Sequence, residues 1–304
     1  MMFIEGIEER EEWTLNSKRR FEGNSVLAFV GSDSELDELT QTYANNSPYP
    51  HLVIDGFLKE DLISQIQSEF PVVDDSHWVS LIHTNEKKYI NQEPSSWGPM
   101  LKRVAEELIS QEFVDFLSEL TGIQNLIVDP SFQGGGLAVS EPGGYLNIHA
   151  DFTVHPYHRN WQRRLNLILY LNEDWDSEYG GELELWSKDM KLCEKKVSPI
   201  SNRALIFSTD LDSFHGHPEP LACPKDRQRR SLALYYFSDE VDPKVRSTEY
   251  RARPGDGFRS ISIYFDKELL RSYDWLKRNL GFSDNFASRF LRWRSSWAKR
   301  IKRD

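Results

Sequence analysis

The sequence has little cysteine, no long apolar run and no excess of basic residues. Two cysteines are too few for a disulfide framework, and neither lies in a Cys-x-x-Cys or Cys/His pattern suited to structural zinc. No window approaches the roughly 18 apolar residues of a membrane span, and the acidic amino terminus lacks an apolar run of signal-peptide length. We therefore expect a protein of the reducing cytoplasm without a membrane span.

The charge balance disfavours nucleic acid as a partner. The chain has 37 Lys and Arg against 48 Asp and Glu, which leaves a formal net charge of −11. Proteins that follow a phosphate backbone usually present a dominant basic surface. The hydrophobic content of 39% is sufficient for a sizeable core, so we expect a globular protein.

Helical and strand patterns occupy different parts of the chain. Apolar residues at helical spacing predict helices over 58–69, 98–109 and 112–121, and Gly122 is placed to end the last of them. After these helices, short apolar runs alternate with clusters of Gly, Pro, Asn and Asp, which is typical of strands. Short strands at this spacing favour a sandwich or jelly roll over a parallel α/β sheet.

The chain divides into a core domain with an extension at each end. We predict an accessory amino-terminal segment over 1–47, the core domain over 48–240 and a carboxy-terminal helical extension over 241–304. The last extension ends in an apolar, largely aromatic stripe flanked by Arg and Lys. Such stripes usually bury in a core, so we expect this basic helix to pack on the same chain.

The stretch YLNIHADF, residues 145–152, places a histidine and an aspartate two positions apart. In a strand the side chains at i and i+2 share a face, so His149 and Asp151 should project together. A second histidine from another strand would complete the facial triad that holds Fe(II) and leaves coordination positions open. Alone, however, His-x-Asp is a weak signal.

Two histidines after the predicted strand NRALIFST could complete the triad. His215 is favoured over His217, because it comes first after the turn and Gly216 gives the backbone room at the metal. His217 and Glu219 form a rival His-x-Glu pair. The prolines at 218 and 220 argue against that pair, since they disrupt regular strand geometry.

Basic residues open the last predicted strand of the core, RQRRSLALYYFS. An arginine at the mouth of a barrel strand can bind a carboxylate substrate through two hydrogen bonds. The same residues also fit a solvated turn. Because side chains alternate along a strand, only one of Arg229 and Arg230 can face a pocket.

In their order, these motifs resemble those of the 2-oxoglutarate and Fe(II)-dependent oxygenases of the prolyl 4-hydroxylase type, over about residues 50–240. Besides the two histidines and Asp151, the resemblance rests on YLNEDWDSEYGGELELW, PISNRALIFST and RRSLALYYF. It implies a mainly β fold with packed helices. The expected architecture is a double-stranded β-helix, or jelly roll, with amino-terminal buttressing helices and a carboxy-terminal helical extension.

The resemblance implies a cofactor set and a metal site. Fe(II), 2-oxoglutarate and O2 are expected, with ascorbate as a further cofactor. His149, Asp151 and His215 are the implied iron ligands and catalytic residues.

It also implies residues that bind 2-oxoglutarate. Arg229 with Ser231 fits the family's Arg-x-Ser spacing for the distal carboxylate, and Arg230 is the adjacent alternative. Tyr170, which precedes a Leu-Asn pair, is expected either to reach the cosubstrate or to be an ordinary core aromatic.

The implied activity is hydroxylation of an unactivated C–H bond, with succinate and CO2 as co-products. One hypothesis is a protein or peptide substrate, with proline as a candidate side chain, and another is a small molecule such as a free amino acid or a biosynthetic intermediate. A third is a non-catalytic jelly roll that binds sugar or protein, but a pure binder needs neither a triad nor a cosubstrate arginine. Substrate loops carry no transferable code, so the first two stay open.

Overall fold

A computed structural model describes residue 21 and residues 25–28, 33–74 and 76–268. Helices of the described residues are α1 (Asp33–Asn45), α2 (Glu60–Ser68), α3 (Pro99–Leu108), α4 (Gln111–Thr121) and α5, which is described over 259–268. Strands of the same residues are β1 (His51–Asp55), β2 (Val79–His83), β3 (Glu86–Asn91), β4 (Leu126–Val128), β5 (Gly136–Ser140), β6 (Tyr145–Ala150), β7 (Trp161–Tyr170), β8 (Leu183–Trp186), β9 (Cys193–Val197), β10 (Arg203–Ser208), β11 (His215–His217), β12 (Arg229–Asp239) and β13 (Glu249–Tyr250).

These strands form one antiparallel sheet that curls over on itself. Its order is β1-β10-β7-β12-β5-β3-β6-β11-β8-β9. The three remaining strands each pair with one strand of this series: β2 with β3, β4 with β12 and β13 with β6. Tyr170 of β7 and Phe207 of β10 pack in one buried cluster with Leu183 and Leu185 of β8, so the two ends of the sheet face each other. The predicted jelly-roll architecture, mainly β with packed helices, is confirmed.

Strand β7 separates a helix-covered face from the interior of the barrel. Leu165, Leu167 and Leu169 are fully buried in the main core, which also contains the apolar faces of α3 and α4. Asn166 and Ile168 instead line a cavity inside the barrel. The period-2 alternation of a strand therefore explains why LNLILY is apolar on its helix side and mixed on its cavity side.

The three predicted buttressing helices agree with α2, α3 and α4 to within two residues at each end. Helix α4 begins after Ser110, whose hydroxyl accepts a hydrogen bond from the Phe113 amide at 3.2 Å. It ends at Gly122, which has the left-handed φ of 71° that favours glycine.

Both predicted extensions fall partly outside the described residues. Within 1–47, helix α1 packs on the core through Tyr43, which is buried and lies 2.6 Å from the Ser208 hydroxyl of β10. Within 241–304, the structure describes residues 241–268, which contain β13 and the helical residues 259–268 of α5. The basic aromatic stripe near the end of the chain lies outside the described residues, so its packing stays a prediction.

A buried histidine connects the β2–β3 hairpin to α5. His83 Nδ1 lies 2.7 Å from Asp266 Oδ2, and His83 Nε2 lies 2.9 Å from Glu86 Oε1. Burial opposes protonation of this ring, but the two carboxylates outweigh it and raise the pKa of His83 to about 9. An imidazolium between two carboxylates therefore holds α5 against the sheet.

Because of this bridge, we expect the folded protein to lose stability at alkaline pH. The pKa of His83 is higher in the folded chain than its ordinary 6.5, so the bridge contributes fully below that pH and is lost as pH rises through about 9. This shift in the pKa of His83 corresponds to a contribution of ~3 kcal/mol to the free energy of unfolding. Urea unfolding at about pH 7 and about pH 10 should show this loss in the wild type, and a much smaller one in His83→Gln. An equal pH dependence in both proteins would contradict the bridge.

Candidate active site

The site begins at the end of β6, where the chain alternates between two environments. Ile148 and Ala150 are buried on the outer side of the sheet, in a cluster with Trp186 and Phe214. His149, on the opposite face, lines the interior cavity together with Asp151, which follows the last residue of β6. The i and i+2 spacing therefore does place the imidazole and the carboxylate side by side.

Strand β11 brings the second histidine to this pair. It pairs antiparallel with β6, with His215 directly opposite His149, and the two ring centroids lie 4.5 Å apart. His149 Nε2 is 3.4 Å from Asp151 Oδ1, and His215 Nε2 is 3.5 Å from Asp151 Oδ2. One ligand atom from each residue lies within 4.8 Å of the other two, and the described residues contain no other such group of three.

Hydrogen bonds to the backbone orient both imidazoles. Nδ1 of His149 lies 2.9 Å from the Asn147 carbonyl, and Nδ1 of His215 lies 2.9 Å from the Ser213 carbonyl. A carbonyl only accepts, so each Nδ1 carries the proton and each Nε2 offers its lone pair to the centre of the triad. Burial lowers the pKa of His215 to about 4, which keeps this nitrogen available as a ligand.

The carboxylate of Asp151 is oriented by two side chains of β7. Its Oδ2 accepts a hydrogen bond from Asn166 Nδ2 at 2.7 Å and lies 3.0 Å from Arg163 Nη2. Burial alone would raise the pKa of Asp151, but the charge of Arg163 and the two imidazoles hold it well below its ordinary range. The group is therefore anionic across the physiological range and available to bind a cation.

Arg163 is a buried cation that the sequence did not single out as functional. Its guanidinium carbon lies 3.3 Å from the ring centroid of Tyr235 and 4.6 Å from that of Phe152, and its Nε donates to Asn166 Oδ1 at 2.8 Å. Aromatic faces and a carboxylate together compensate a buried guanidinium. Arg163 and Arg164 are adjacent in the sequence, and only the fold decides which of them faces Asp151.

A second cation lies further along the cavity. Arg229 is buried and lines the cavity with Ser231, and its Nε donates to the Gly181 carbonyl at 2.9 Å. Gly181, at φ +78°, leaves the room this side chain needs, because a Cβ there would meet Leu221 at 2.6 Å and Arg229 Cδ at 3.0 Å. No carboxylate of the described residues forms an ion pair with Arg229, whose pKa is lowered by burial.

Tyr170 lies beside this arginine with an unsatisfied hydroxyl. The side chain is fully buried, the Arg229 guanidinium carbon is 5.0 Å from its ring centroid, and its hydroxyl has no hydrogen-bond partner in the described structure. Burial raises the pKa of this phenol, so the hydroxyl keeps its proton and can act as a donor. A buried phenol beside a guanidinium that has no carboxylate partner among the described residues fits a site for an anionic ligand.

The alternative arginine faces away from the cavity. Arg230 lies on the helix side of β12, where its guanidinium carbon is 5.1 Å from the ring centroid of Phe70. Its amide donates to Asn172 Oδ1 at 2.5 Å. The structure therefore separates the two candidates, with Arg229 inside the barrel and Arg230 outside it.

The rival pair of His217 and Glu219 does not converge. Glu219 is exposed, and its Oε1 lies 2.6 Å from Arg253 Nη2. His217 is buried and lines the cavity, and its pKa is lowered well below the usual range by burial and then by the charge of Arg229. Gly216 between the two histidines does give room, but to the β6 backbone: a Cβ there would lie 2.7 Å from the Leu146 carbonyl oxygen.

Lys88 is another cavity residue that the sequence did not reveal. It belongs to β3, lines the cavity, and places its Nζ 3.0 Å from Glu86 Oε2. Nothing in the run EKKYIN distinguishes Lys88 from Lys87, because only the fold decides which of two adjacent lysines faces the barrel interior.

The site geometry agrees with a comparison to protein-family models. Residues 135–237, which include the three converging side chains and Arg229, match the model described as the 2OG-Fe(II) oxygenase superfamily. This part of the chain, about a third of its length, is therefore similar to the 2OG-Fe(II) oxygenase superfamily. This superfamily uses Fe(II), 2-oxoglutarate and O2.

A curated protein to which this chain is similar is named "Prolyl 3-hydroxylase OGFOD1", from Mus musculus. The two sequences are 30% identical over 118 residues, which cover 38% of this chain and 20% of the relative. The match therefore spans about a fifth of that relative's length.

Three solved structures resemble this chain at low identity. A Pseudomonas putida prolyl-4-hydroxylase has 16% identity and a TM-score of 0.45, covering 66% of this chain and 98% of its own. The Trichoplax adhaerens prolyl hydroxylase in complex with a hypoxia inducible factor peptide fragment has 18% identity and a TM-score of 0.48, over 67% and 91%. HygX from Streptomyces hygroscopicus, with nickel and 2-oxoglutarate bound, has 15% identity and a TM-score of 0.43, over 68% and 88%.

Among the described residues, no helix has the length and apolar character that crossing a membrane requires.

Proposed function

We propose that this protein is an Fe(II)- and 2-oxoglutarate-dependent dioxygenase that hydroxylates an unactivated C–H bond, with succinate and CO2 as co-products. The observation that carries the proposal is the convergence of His149, Asp151 and His215 inside the barrel, within 4.8 Å of one another. Two imidazoles and one carboxylate on one side of an ion are the donor set of the Fe(II) oxygenases.

The donor set fits a ferrous ion in three respects. Both Nε2 atoms face the Asp151 carboxylate with their lone pairs available, because each Nδ1 donates to a backbone carbonyl. Asp151 is anionic and is held in one orientation by Arg163 and Asn166. When bound there, Fe(II) would supply the activation of dioxygen, which no amino-acid side chain provides.

The cosubstrate residues are proposed from the same cavity. Arg229 would pair with the distal carboxylate of 2-oxoglutarate, and Ser231 lines the cavity beside it. The hydroxyl of Tyr170, which lies beside Arg229, would donate to the cosubstrate. Arg229 and Tyr170 are both buried, and burial strengthens charge-assisted hydrogen bonds.

For the substrate, we propose a peptidyl side chain, with proline as the first candidate. The support is the similarity of the oxygenase to a relative named as a prolyl 3-hydroxylase. A small-molecule substrate is the alternative outcome of the test below. Ascorbate as a further cofactor stays a prediction, to be tested by omitting it from the same assay.

The test is succinate release by the purified protein with Fe(II), 2-oxoglutarate and air. We expect succinate formation to rise at least about tenfold above the uncoupled background when a proline-containing peptide pool is added, with one added oxygen per succinate by mass spectrometry. Stimulation by free amino acids, with none by peptides, would instead identify the substrate as a small molecule. A protein that makes no succinate with any addition, and forms no complex with Fe(II) and 2-oxoglutarate, would overturn the proposal in favour of a non-catalytic jelly roll.

We also propose the cytoplasm as the location and a division into an accessory segment over 1–47, an oxygenase domain over 48–240 and a helical extension over 241–304. Both cysteines, Cys193 and Cys223, are free thiols, which suits a reducing compartment.

A further inference from the structure

His217 is a buried cavity residue that the ligand set does not use. It lies on β11 two positions beyond His215, is only 3% exposed, and lines the interior cavity. Its Nδ1 is buried without a hydrogen-bond partner, and no group of the described residues hydrogen bonds to either ring nitrogen. A buried polar ring without partners destabilises a fold unless a ligand supplies them, so the imidazole needs an explanation.

The position of His217 along the strand points to the far end of the cavity. Strand β11 pairs with β6 so that His215 lies opposite His149 and His217 lies opposite Leu146, with an irregularity in the register between them. With His215 at the metal centre, His217 is therefore displaced from that centre along β6, towards Leu146, which also lines the cavity. Arg229 lines the same cavity and has no carboxylate partner among the described residues.

Two polar side chains that line the cavity thus lack an anionic partner. They are the guanidinium of Arg229, which has no carboxylate beside it among the described residues, and the imidazole of His217. A neutral or charged imidazole offers at least one N–H donor, and a carboxylate has two oxygens that can accept several bonds. One carboxylate at this end of the cavity would give both groups a partner.

We propose that His217 donates a hydrogen bond to the distal carboxylate of 2-oxoglutarate and so helps the site to select dicarboxylic over monocarboxylic 2-oxo acids. The inference rests on the proposed function and assigns His217 as a specificity-determining residue beside Arg229. An apolar residue of similar width would fill the same space without making this distinction.

The test compares two ligands on three variants under anaerobic Fe(II). The ligands are 2-oxoglutarate and 2-oxopentanoate, which has the same carbon chain with a methyl group in place of the distal carboxylate. The variants are His217→Val, which removes the donor, His217→Asn, whose amide can replace Nδ1–H, and His51→Val as a matched control. His51 is a buried histidine of β1 that does not line the cavity. Dissociation constants are read from the visible charge-transfer band of the chelate.

We expect His217→Val to weaken 2-oxoglutarate about tenfold, the loss of one charge-assisted bond, while the affinity for 2-oxopentanoate stays within about twofold. His217→Asn should recover part of the difference, and His51→Val should leave the ratio of the two affinities unchanged. An equal loss for both ligands in His217→Val, or an unchanged 2-oxoglutarate affinity, would overturn the role of His217. If the wild type itself gives no band, the proposed function fails instead, so the two failures are distinguishable.

Discussion

His149→Ala is expected to abolish the visible charge-transfer band that anaerobic Fe(II) and 2-oxoglutarate give with the wild type. Without this imidazole only His215 and Asp151 remain, and two ligands do not hold Fe(II) in a facial arrangement. Succinate formation should fall by at least about 100-fold, since even residues that only orient a metal ligand change affinity by 10–100-fold. The band and the succinate assay measure the two effects separately.

His155→Ala is the matched control for this variant. His155 is also buried and also lies near a carboxylate, 3.1 Å from Asp129 Oδ2, but it does not line the cavity. We expect it to keep both the band and succinate formation within a few-fold of the wild type, apart from any loss of stability. A normal band in His149→Ala would remove His149 from the ligand set.

Arg229→Ala should raise the 2-oxoglutarate concentration needed for half-maximal band intensity by about 100-fold, because loss of one partner of a buried charged pair costs ~2–5 kcal/mol. Arg229 is the buried guanidinium of the cavity, and no carboxylate of the described chain competes for it. The metal ligands are unchanged in this variant. Saturating 2-oxoglutarate should therefore restore much of the band, which separates a cosubstrate defect from a metal defect.

Arg230→Ala supplies the matched control on the adjacent residue. Its guanidinium lies over Phe70 on the helix side of the sheet, so the 2-oxoglutarate requirement should change by less than about twofold. A large increase in Arg230→Ala together with a normal Arg229→Ala would exchange their roles.

Much of the fold could be predicted from local patterns. The helices α2, α3 and α4 follow from apolar residues at helical spacing, and the end of α4 follows from Gly122. The antiparallel jelly roll follows from short strands separated by turn residues. The order of strands in the sheet did not follow, since β3 lies between β5 and β6 through contacts distant in sequence.

The candidate site was predictable where its residues share one strand. His149 and Asp151 are two positions apart, and strand periodicity alone places them on one face. Arg163, Asn166, Lys88 and the cavity position of His217 were not recognisable as site residues, because each depends on which strands become neighbours.

The sequence by itself determined the chemistry available: a histidine and an aspartate on one strand, two later histidines, and an arginine pair opening the last strand. Only the tertiary structure decided which of these meet. Pairing of β11 with β6 set His215 opposite His149. The orientation of β12 in the sheet turned Arg229 towards the barrel interior and Arg230 towards the helices. The physical reason is that a strand fixes the relative direction of its own side chains, whereas pairing and curvature between distant strands fix which directions converge.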